Sequence, residues 1–217
     1  MIQIATLPVW GFVGQSSPGD DVAADDHTLV TQARAGDSKA FRALVERYQR
    51  KVYGVAFGML RSAEDAMDVT QETFIRVHRY LDRFQGSSSF FTWLYRITVN
   101  LCIDHIRREG KAQTVDYDDA MDHPGETGEL STWSMDTNPA HLVARKELQA
   151  VIASALETLS PNHRAVILMR EVEGLSYSEM AEVMQCSKGT IMSRLFHARR
   201  RMQIALTEVM AQKKTAA

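Results

Sequence analysis

Residues 175–202 read LSYSEMAEVMQCSKGTIMSRLFHARRRM, and this stretch decides the fold of the second half of the chain. Ser176 and Glu179 have the spacing of a capping box, which predicts the start of a short helix. Gln185 and Cys186 interrupt the apolar pattern of that helix, and Ser187 is placed to cap a second helix. Two short helices joined by a tight turn indicate a helix-turn-helix, whose second helix enters the major groove of DNA by its N-terminal end.

The second of these helices is basic on its polar faces. No Asp or Glu occurs between Glu182 and Glu208. Hydroxyl groups at the leading end and cations further along suit hydrogen bonds to base edges and contacts to phosphates. A solvated basic face on a purely structural helix is the alternative interpretation. The capping box and the turn favour DNA binding.

Composition limits the other possibilities. The 217 residues are 45% hydrophobic and carry a net charge of −2, which allows one large domain or two small ones and excludes a polycation. Cys102 and Cys186 are far apart and belong to no metal-ligand pattern, so we expect free thiols in a reducing cytoplasm. Residues 1–10 are too short to span a bilayer and lack a basic start, so neither a membrane anchor nor a secretion signal is predicted.

The pattern along the chain predicts an all-α protein with two small helical domains. We expect a mobile tail over residues 1–24, a helical domain over 25–110 that begins with a helix capped by Asp26, and a second domain over 138–210. Between the domains, residues 111–137 are rich in Asp, Glu and Gly and predict a flexible acidic linker. A short polar tail over 211–217 completes the expected organisation.

Two polar faces stand out in the first domain. In the helix predicted from Phe91 to Arg108, a stripe beginning at Trp93 continues through Arg96 and Asn100. Exposed, such a stripe suits single-stranded nucleic acid, because the ring stacks a base while the cation holds the backbone. A core tryptophan is the alternative. On the preceding helix one side is acidic and polar, formed by Asp65, Asp68, Gln71 and Glu72.

Two classes of function are weighed on the residues alone. A helix-turn-helix regulator with an N-terminal sensing or dimerisation domain would bind duplex DNA tightly by itself. A nuclease would need clustered carboxylates or His and Cys ligands, and Cys102 and His105 share a helix side but lack two further ligands. No catalytic residue, metal site or cofactor is predicted, and the chain is not expected to be an enzyme.

Four segments resemble the extracytoplasmic-function (ECF) class of bacterial sigma factors, in the sigma-70 family. GDSKAFRALVERYQRKVYGVAFGML at 36–60 resembles the first helix pair of the promoter-melting domain. SAEDAMDVTQETFIRVHRYLDRF at 62–84 is similar to the segment that docks on RNA polymerase. FFTWLYRITVNLCIDHIRR at 90–108 is similar to the reader of the downstream promoter element. The segment at 159–202, which contains the helix-turn-helix, resembles the reader of the upstream element.

The resemblance implies roles for individual residues. Core polymerase would be bound by Asp65, Asp68, Gln71 and Glu72. The melted downstream element would be handled by Phe90, Phe91, Trp93, Arg96, Asn100, Arg107, Arg108 and Lys111, with the Ser87–Ser89 loop capturing a flipped base. The upstream element would be contacted by Ser187, Lys188, Gly189, Thr190, Ser193, Arg194, His197, Arg199 and Arg200. Met192 and His197 stand where relatives often carry a basic residue.

The same resemblance implies the partners and a constraint on reach. Core RNA polymerase, promoter DNA and an anti-sigma factor are the expected partners. The two promoter elements lie roughly 55–60 Å apart, at ~3.4 Å per base pair. A flexible linker of about 27 residues has a mean span nearer 30 Å. We therefore expect that polymerase must hold the two domains apart.

Overall fold

The structure is a computed structural model, which describes the backbone at residues 19–110 and 139–215 and side chains at 26–110 and 148–208. Every regular element within these ranges is helical, which confirms the all-α prediction. The helices are α1 (Gly19–Arg34), α2 (Ser38–Leu60), α3 (Ala63–Tyr80), α4 (Phe90–Arg108), α5 (Pro139–Glu157), α6 (Pro161–Ile167), α7 (Tyr177–Met184) and α8 (Lys188–Thr215). No helix of the described residues is both long and apolar enough to cross a membrane.

Two predicted boundaries are wrong. Helix α1 begins at Gly19, so residues 19–24 are helical and Asp26 lies inside the helix instead of capping it. Helix α8 continues to Thr215, well into the stretch predicted as a polar tail. The rest of the N-terminal tail and the predicted linker at 111–137 lie outside the described residues.

Side-chain caps fix where the helices of the first domain begin. Asp37 accepts a hydrogen bond from the Lys39 backbone N–H at 2.8 Å, at the start of α2. Ser62 and Ser89 occupy the equivalent positions before α3 and α4. Such caps satisfy backbone donors that have no partner inside the helix. The apolar sides that face inward include Leu44, Met59, Val77 and Leu94, all nearly or fully buried.

A buried carboxylate joins α1 to α2. Asp26 is only 6% exposed, its Oδ1 lies 2.6 Å from Nη1 of Arg47, and its Oδ2 accepts a hydrogen bond from the Tyr48 hydroxyl. A charge is tolerated at such a depth only where it is paired and hydrogen-bonded. Asp26 therefore provides a buried polar contact that fixes α1 on the domain.

We expect Asp26→Ala to destabilise the first domain by about 3 kcal/mol, because it removes the buried carboxylate that pairs with Arg47 and accepts a hydrogen bond from the Tyr48 hydroxyl. Urea unfolding followed by circular dichroism measures the change. Asp82→Ala is the matched control, since Asp82 is 85% exposed at its ion pair with Arg34 and exposed pairs contribute little. Equal stability of the two variants would contradict the proposed importance of the buried pair.

The second domain contains the predicted helix-turn-helix. Ser176 and Glu179 form the capping box at the start of α7. The turn passes through Gln185, which adopts a left-handed conformation with φ +52°. Upstream of it, α6 continues into one π-helical turn at residues 168–172 and ends near Gly174, at φ +69°. The capping and turn predictions are confirmed.

The two domains are in direct contact. Helix α7 packs on α4 and α6 approaches α2, so one apolar cluster includes Val55 and Val99 of the first domain and Leu168 and Met180 of the second. Nη1 of Arg164 donates to the backbone carbonyl of Met59 at 2.5 Å.

Two titratable groups at this contact are shielded from water. Burial raises the pKa of the Glu173 carboxyl, although Lys51 opposes the shift. Burial also raises the pKa of the Tyr95 hydroxyl, with the Glu173 charge contributing in the same direction. Such groups gain solvation when a contact opens, so their desolvation costs free energy each time the domains come into contact.

Candidate nucleic-acid interface

The N-terminal end of α8 is presented to solvent by its own capping serine. Oγ of Ser187 accepts from the Thr190 backbone N–H at 3.0 Å and lies 2.9 Å from the Thr190 hydroxyl. Ile191, Leu195 and Ala198 are at most 2% exposed and fix the opposite side of the helix in the core. Exposed positions at the leading end are Ser187, Lys188 and Gly189. The predicted orientation of the helix is thus the one that a major-groove reader requires.

The cations of α8 are not equivalent. Arg199 is held within the domain, because its Nη2 lies 2.6 Å from Oε1 of Glu171. Arg194 is half-buried, with Nη1 3.9 Å from Sγ of Cys186. Arg200 is exposed, and Ser193 and His197 are half-buried. Arg199 must exchange its carboxylate partner before it can contact a phosphate.

Both cysteines are free thiols, as expected from their spacing. Burial raises the pKa of Cys102 to about 12. Burial raises the pKa of Cys186 as well, in spite of the opposing Arg194 charge. Because the thiolate is the reactive form, neither side chain is activated as a nucleophile.

The predicted exposure of the Trp93 stripe is wrong at its first residue. Trp93 is 8% exposed and Phe90 is 4% exposed. The Trp93 ring lies 5.3 Å from the Phe84 ring and 6.0 Å from the Phe90 ring, centre to centre. Burying an aromatic ring of this size stabilises the fold by about 2–3 kcal/mol, so the ring joins the core in preference to solvent. Trp93 offers no stacking surface in this conformation.

The remaining residues of this face are accessible to different degrees. Asn100, Arg107 and Arg108 are exposed, and Arg96 is half-buried. Phe91 is half-buried, with Nζ of Lys51 5.0 Å from its ring centre. The Ser87–Ser89 loop before α4 is largely exposed. Lys111 lies outside the described residues.

The acidic side of α3 faces solvent. Asp68 and Gln71 are exposed, while Asp65 and Glu72 are half-buried. Glu72 also pairs with Arg76 on the same helix, at 2.8 Å. The structure therefore brings together all four residues predicted for the polymerase surface.

Sequence reasoning missed two apolar residues on this helix. Met67 is 41% exposed and Ile75 is 51% exposed. Both fall outside the inward-facing stripe of α3, and this departure from the helical period was the available signal. Both side chains expose apolar area beside the acidic surface of the same helix.

Comparison with known proteins identifies the family. The family models for sigma-70 region 2 and sigma-70 region 4 match residues 44–112 and 149–202. The ECF RNA polymerase sigma-E factor of Escherichia coli K12 is 40% identical over 176 residues, covering 80% of this chain and 90% of that protein. The RNA polymerase sigma-H factor of Pseudomonas aeruginosa is 36% identical over 181 residues, covering 83% and 93%.

Two solved structures share the fold. CnrH, solved in complex with the cytosolic domain of CnrY, has a TM-score of 0.62 and 28% identity, covering 85% of this chain and 98% of that one. The sigma factor RpoE of Bartonella quintana, solved with the anti-sigma factor NepR, has a TM-score of 0.56 and 24% identity, covering 78% and 98%. The sequence relatives and the two family models, together with the helix-turn-helix and the helical domain before it, show that the chain belongs to the ECF sigma factors of the sigma-70 family.

Proposed function

We propose that this protein binds core RNA polymerase and directs it to promoters, reading the upstream element with α8 and melting the downstream element with the first domain. The observation that carries the proposal is the presence of both sigma domains in one chain, each with its polar surface facing solvent. RNA synthesis remains the chemistry of the polymerase, and we assign no catalytic role to the chain.

At the upstream element, the leading end of α8 is the proposed reader. Ser187, Lys188, Gly189 and Thr190 approach phosphates and base edges, followed by Ser193, Arg194 and His197. The helix end also offers free backbone N–H groups and a positive dipole end to phosphates. Arg200 extends the phosphate contacts, and Arg199 joins it on release from Glu171.

At the downstream element, the proposed contacts divide into two kinds. Arg96, Asn100, Arg107, Arg108 and Lys111 contact the DNA directly, with cations on phosphates and an amide for a base edge. Phe90 and Trp93 act from the core by fixing the angle of α4, and the exposed serine loop receives the flipped base. Phe91, only half-buried, is the ring available for stacking.

For core polymerase, we propose the surface formed by Asp65, Asp68, Gln71 and Glu72 together with Met67 and Ile75. The carboxylates provide attraction to a basic partner and set its orientation. The two apolar side chains provide area that loses water on docking. An anti-sigma factor is the further proposed partner, supported by CnrH, a relative of the same fold that was solved with a domain of another protein.

The observed contact between the domains is proposed to be a closed arrangement. The promoter elements lie roughly 55–60 Å apart, whereas here α7 rests on α4. The two readers cannot engage both elements while this contact persists. Opening exposes Tyr95 and Glu173 to water, which partly offsets the lost apolar contact.

The experiment that tests the proposed function compares promoter binding with and without core polymerase. We expect specific binding to a promoter library only when core is present. The competing proposal, a polymerase-independent helix-turn-helix regulator, predicts tight duplex binding by the chain alone. Permanganate reactivity of unpaired thymines reports melting in the same samples, and a sigma role requires that signal to depend on both core and chain.

We expect Arg194→Ala to lower transcription from promoters of this factor about tenfold, since one lost contact to a base or phosphate costs about 1–3 kcal/mol. Arg201→Ala is the matched control, because Arg201 is exposed further along the same helix. Run-off transcription with purified core measures both. Equal activity of the two variants would place the upstream contacts elsewhere on α8.

A further inference from the structure

Helices α3 and α4 bring three metal-ligating side chains together at one edge of the first domain. They are Asp65 in the first turn of α3, His105 in the last turn of α4 and Glu109, which follows α4. The three potential ligand atoms all lie within 4.8 Å of one another. His105 and Glu109 are one helical turn apart, so both face Asp65 on the neighbouring helix.

The imidazole nitrogen at the centre of this cluster has no hydrogen-bond partner. Nε2 of His105 is buried and unsatisfied, although it lies 3.3 Å from Oδ1 of Asp65 and 3.3 Å from Oε1 of Glu109. A buried nitrogen without a partner carries a desolvation cost that needs an explanation. At 3.3 Å from both oxygens the ring nitrogen makes no hydrogen bond of good geometry to either, whereas an ion bound by the three atoms would satisfy all of them.

The two separations from Nε2 of His105, 3.3 Å to each carboxylate oxygen, fit one coordination geometry in particular. Zinc binds His nitrogen and carboxylate oxygen at about 2.0–2.1 Å in tetrahedral sites, and the edge of such a tetrahedron is about 3.3 Å long. An octahedral magnesium site has edges nearer 2.9 Å and prefers oxygen ligands. Imidazole with two carboxylates is therefore a donor set for zinc-like ions, with the fourth position open to water.

Local electrostatics favour a cation here. The two carboxylates bring two negative charges, and the C-terminal end of α4 adds the negative end of its dipole. The side chains are partly shielded, with 25%, 21% and 34% of Asp65, His105 and Glu109 exposed. We propose that Asp65, His105 and Glu109 form a three-ligand site for a divalent zinc-class ion that clasps the start of α3 to the end of α4.

The site has a consequence that rests on the proposed function. Asp65 belongs to the proposed polymerase surface, and a carboxylate engaged by zinc is less available to a basic partner. We expect zinc at saturation to weaken binding of core polymerase several-fold in the native chain and to leave the His105→Gln variant unaffected. Equal core affinity with and without zinc in the native chain would overturn this coupling.

Metal binding itself is tested on the full chain without polymerase, so that failure of the sigma role and failure of the site are separable. Zinc is titrated against a chromophoric chelator, and cobalt(II) is used as a spectroscopic probe, since four-coordinate cobalt absorbs visible light far more strongly than six-coordinate cobalt. We expect one ion per chain and an intense cobalt spectrum.

Ligand variants decide the location of the ion. His105→Gln and Glu109→Gln should each weaken zinc binding by at least about tenfold and abolish the intense cobalt spectrum. Asp104→Asn is the matched control, an exposed carboxylate on the same helix outside the cluster, and should bind as the native chain does. Glu109 lies just beyond α4. Glu109→Gln therefore provides a second test of the site if His105→Gln fails to fold. Undiminished zinc affinity in both ligand variants, or no binding by the native chain, would overturn the proposal.

Discussion

The double variant Asp68→Ala/Glu72→Ala is expected to lose core polymerase binding by about a hundredfold, equivalent to ~2.7 kcal/mol. Asp68 is exposed and Glu72 is half-buried on the solvent side of α3. Neither belongs to the buried stripe that includes Val69 and Val77. The loss should therefore arise from the interface rather than from unfolding. Binding of fluorescent chain to core polymerase measures it directly.

The matched control for this variant is Glu46→Ala/Asp104→Ala. Both residues are exposed acids on other helices of the first domain, so the net charge changes equally. If general attraction to a basic partner were sufficient, both double variants would weaken alike. The α3 surface is supported only if the control keeps native affinity. High salt should reduce the remaining electrostatic contribution in each case.

Gly58→Glu is expected to open the contact between the domains. Gly58 is buried in α2, and a Cβ at this position would lie 2.9 Å from Cδ1 of Leu168 in the second domain. A glutamate there places a charge against an apolar side chain, and separation of the domains returns that charge to water. The helix itself tolerates the change, since Glu has a better helix propensity than Gly.

The opening is measured by small-angle X-ray scattering of the free chain. A compact chain of this length has a radius of gyration of about 17 Å, and we expect the variant to exceed the native value by several ångströms. Gly54→Glu is the matched control, because a Cβ at Gly54, one turn earlier on α2, meets nothing within 4 Å. Identical scattering from the Gly58 and Gly54 variants would show that the contact does not hold the domains together.

Opening should leave activity with polymerase intact. In the proposed mechanism the domains are already separate on the promoter, so Gly58→Glu is expected to retain promoter-specific transcription. It should also raise the apparent affinity for core if closure competes with docking. A loss of transcription in a folded Gly58→Glu variant would instead indicate that the contact persists in the active complex.

Local signals in the sequence determined the helices and their starting points. Ser176 and Ser187 predicted helix starts that the structure confirms, because a capping side chain acts within its own turn. The acidic side of α3 was equally readable, since residues three to four apart lie on the same face of a helix. The family resemblance, carried by four such segments in order, was confirmed by the matching relatives.

Tertiary packing alone decided which side chains from different segments contact one another. Helical spacing placed Trp93 on a polar stripe, but the rings of Phe84 and Phe90, from separate segments, enclose it. Asp26 was a plausible cap by local rules, yet Arg47 and Tyr48 on the next helix provide its partners. The sequence could not show these pairings because each depends on how two helices are positioned in space.

The same limit applies to the contact between the domains and to the proposed metal site. The approach of Leu168 to Gly58 joins residues of different domains. The meeting of Asp65 with His105 and Glu109 joins the beginning of one helix to the end of another. On the sequence alone, His105 was judged to lack further ligands. Periodicity describes a helix against itself, whereas interfaces and ligand sets arise from the crossing of helices, which only the folded chain determines.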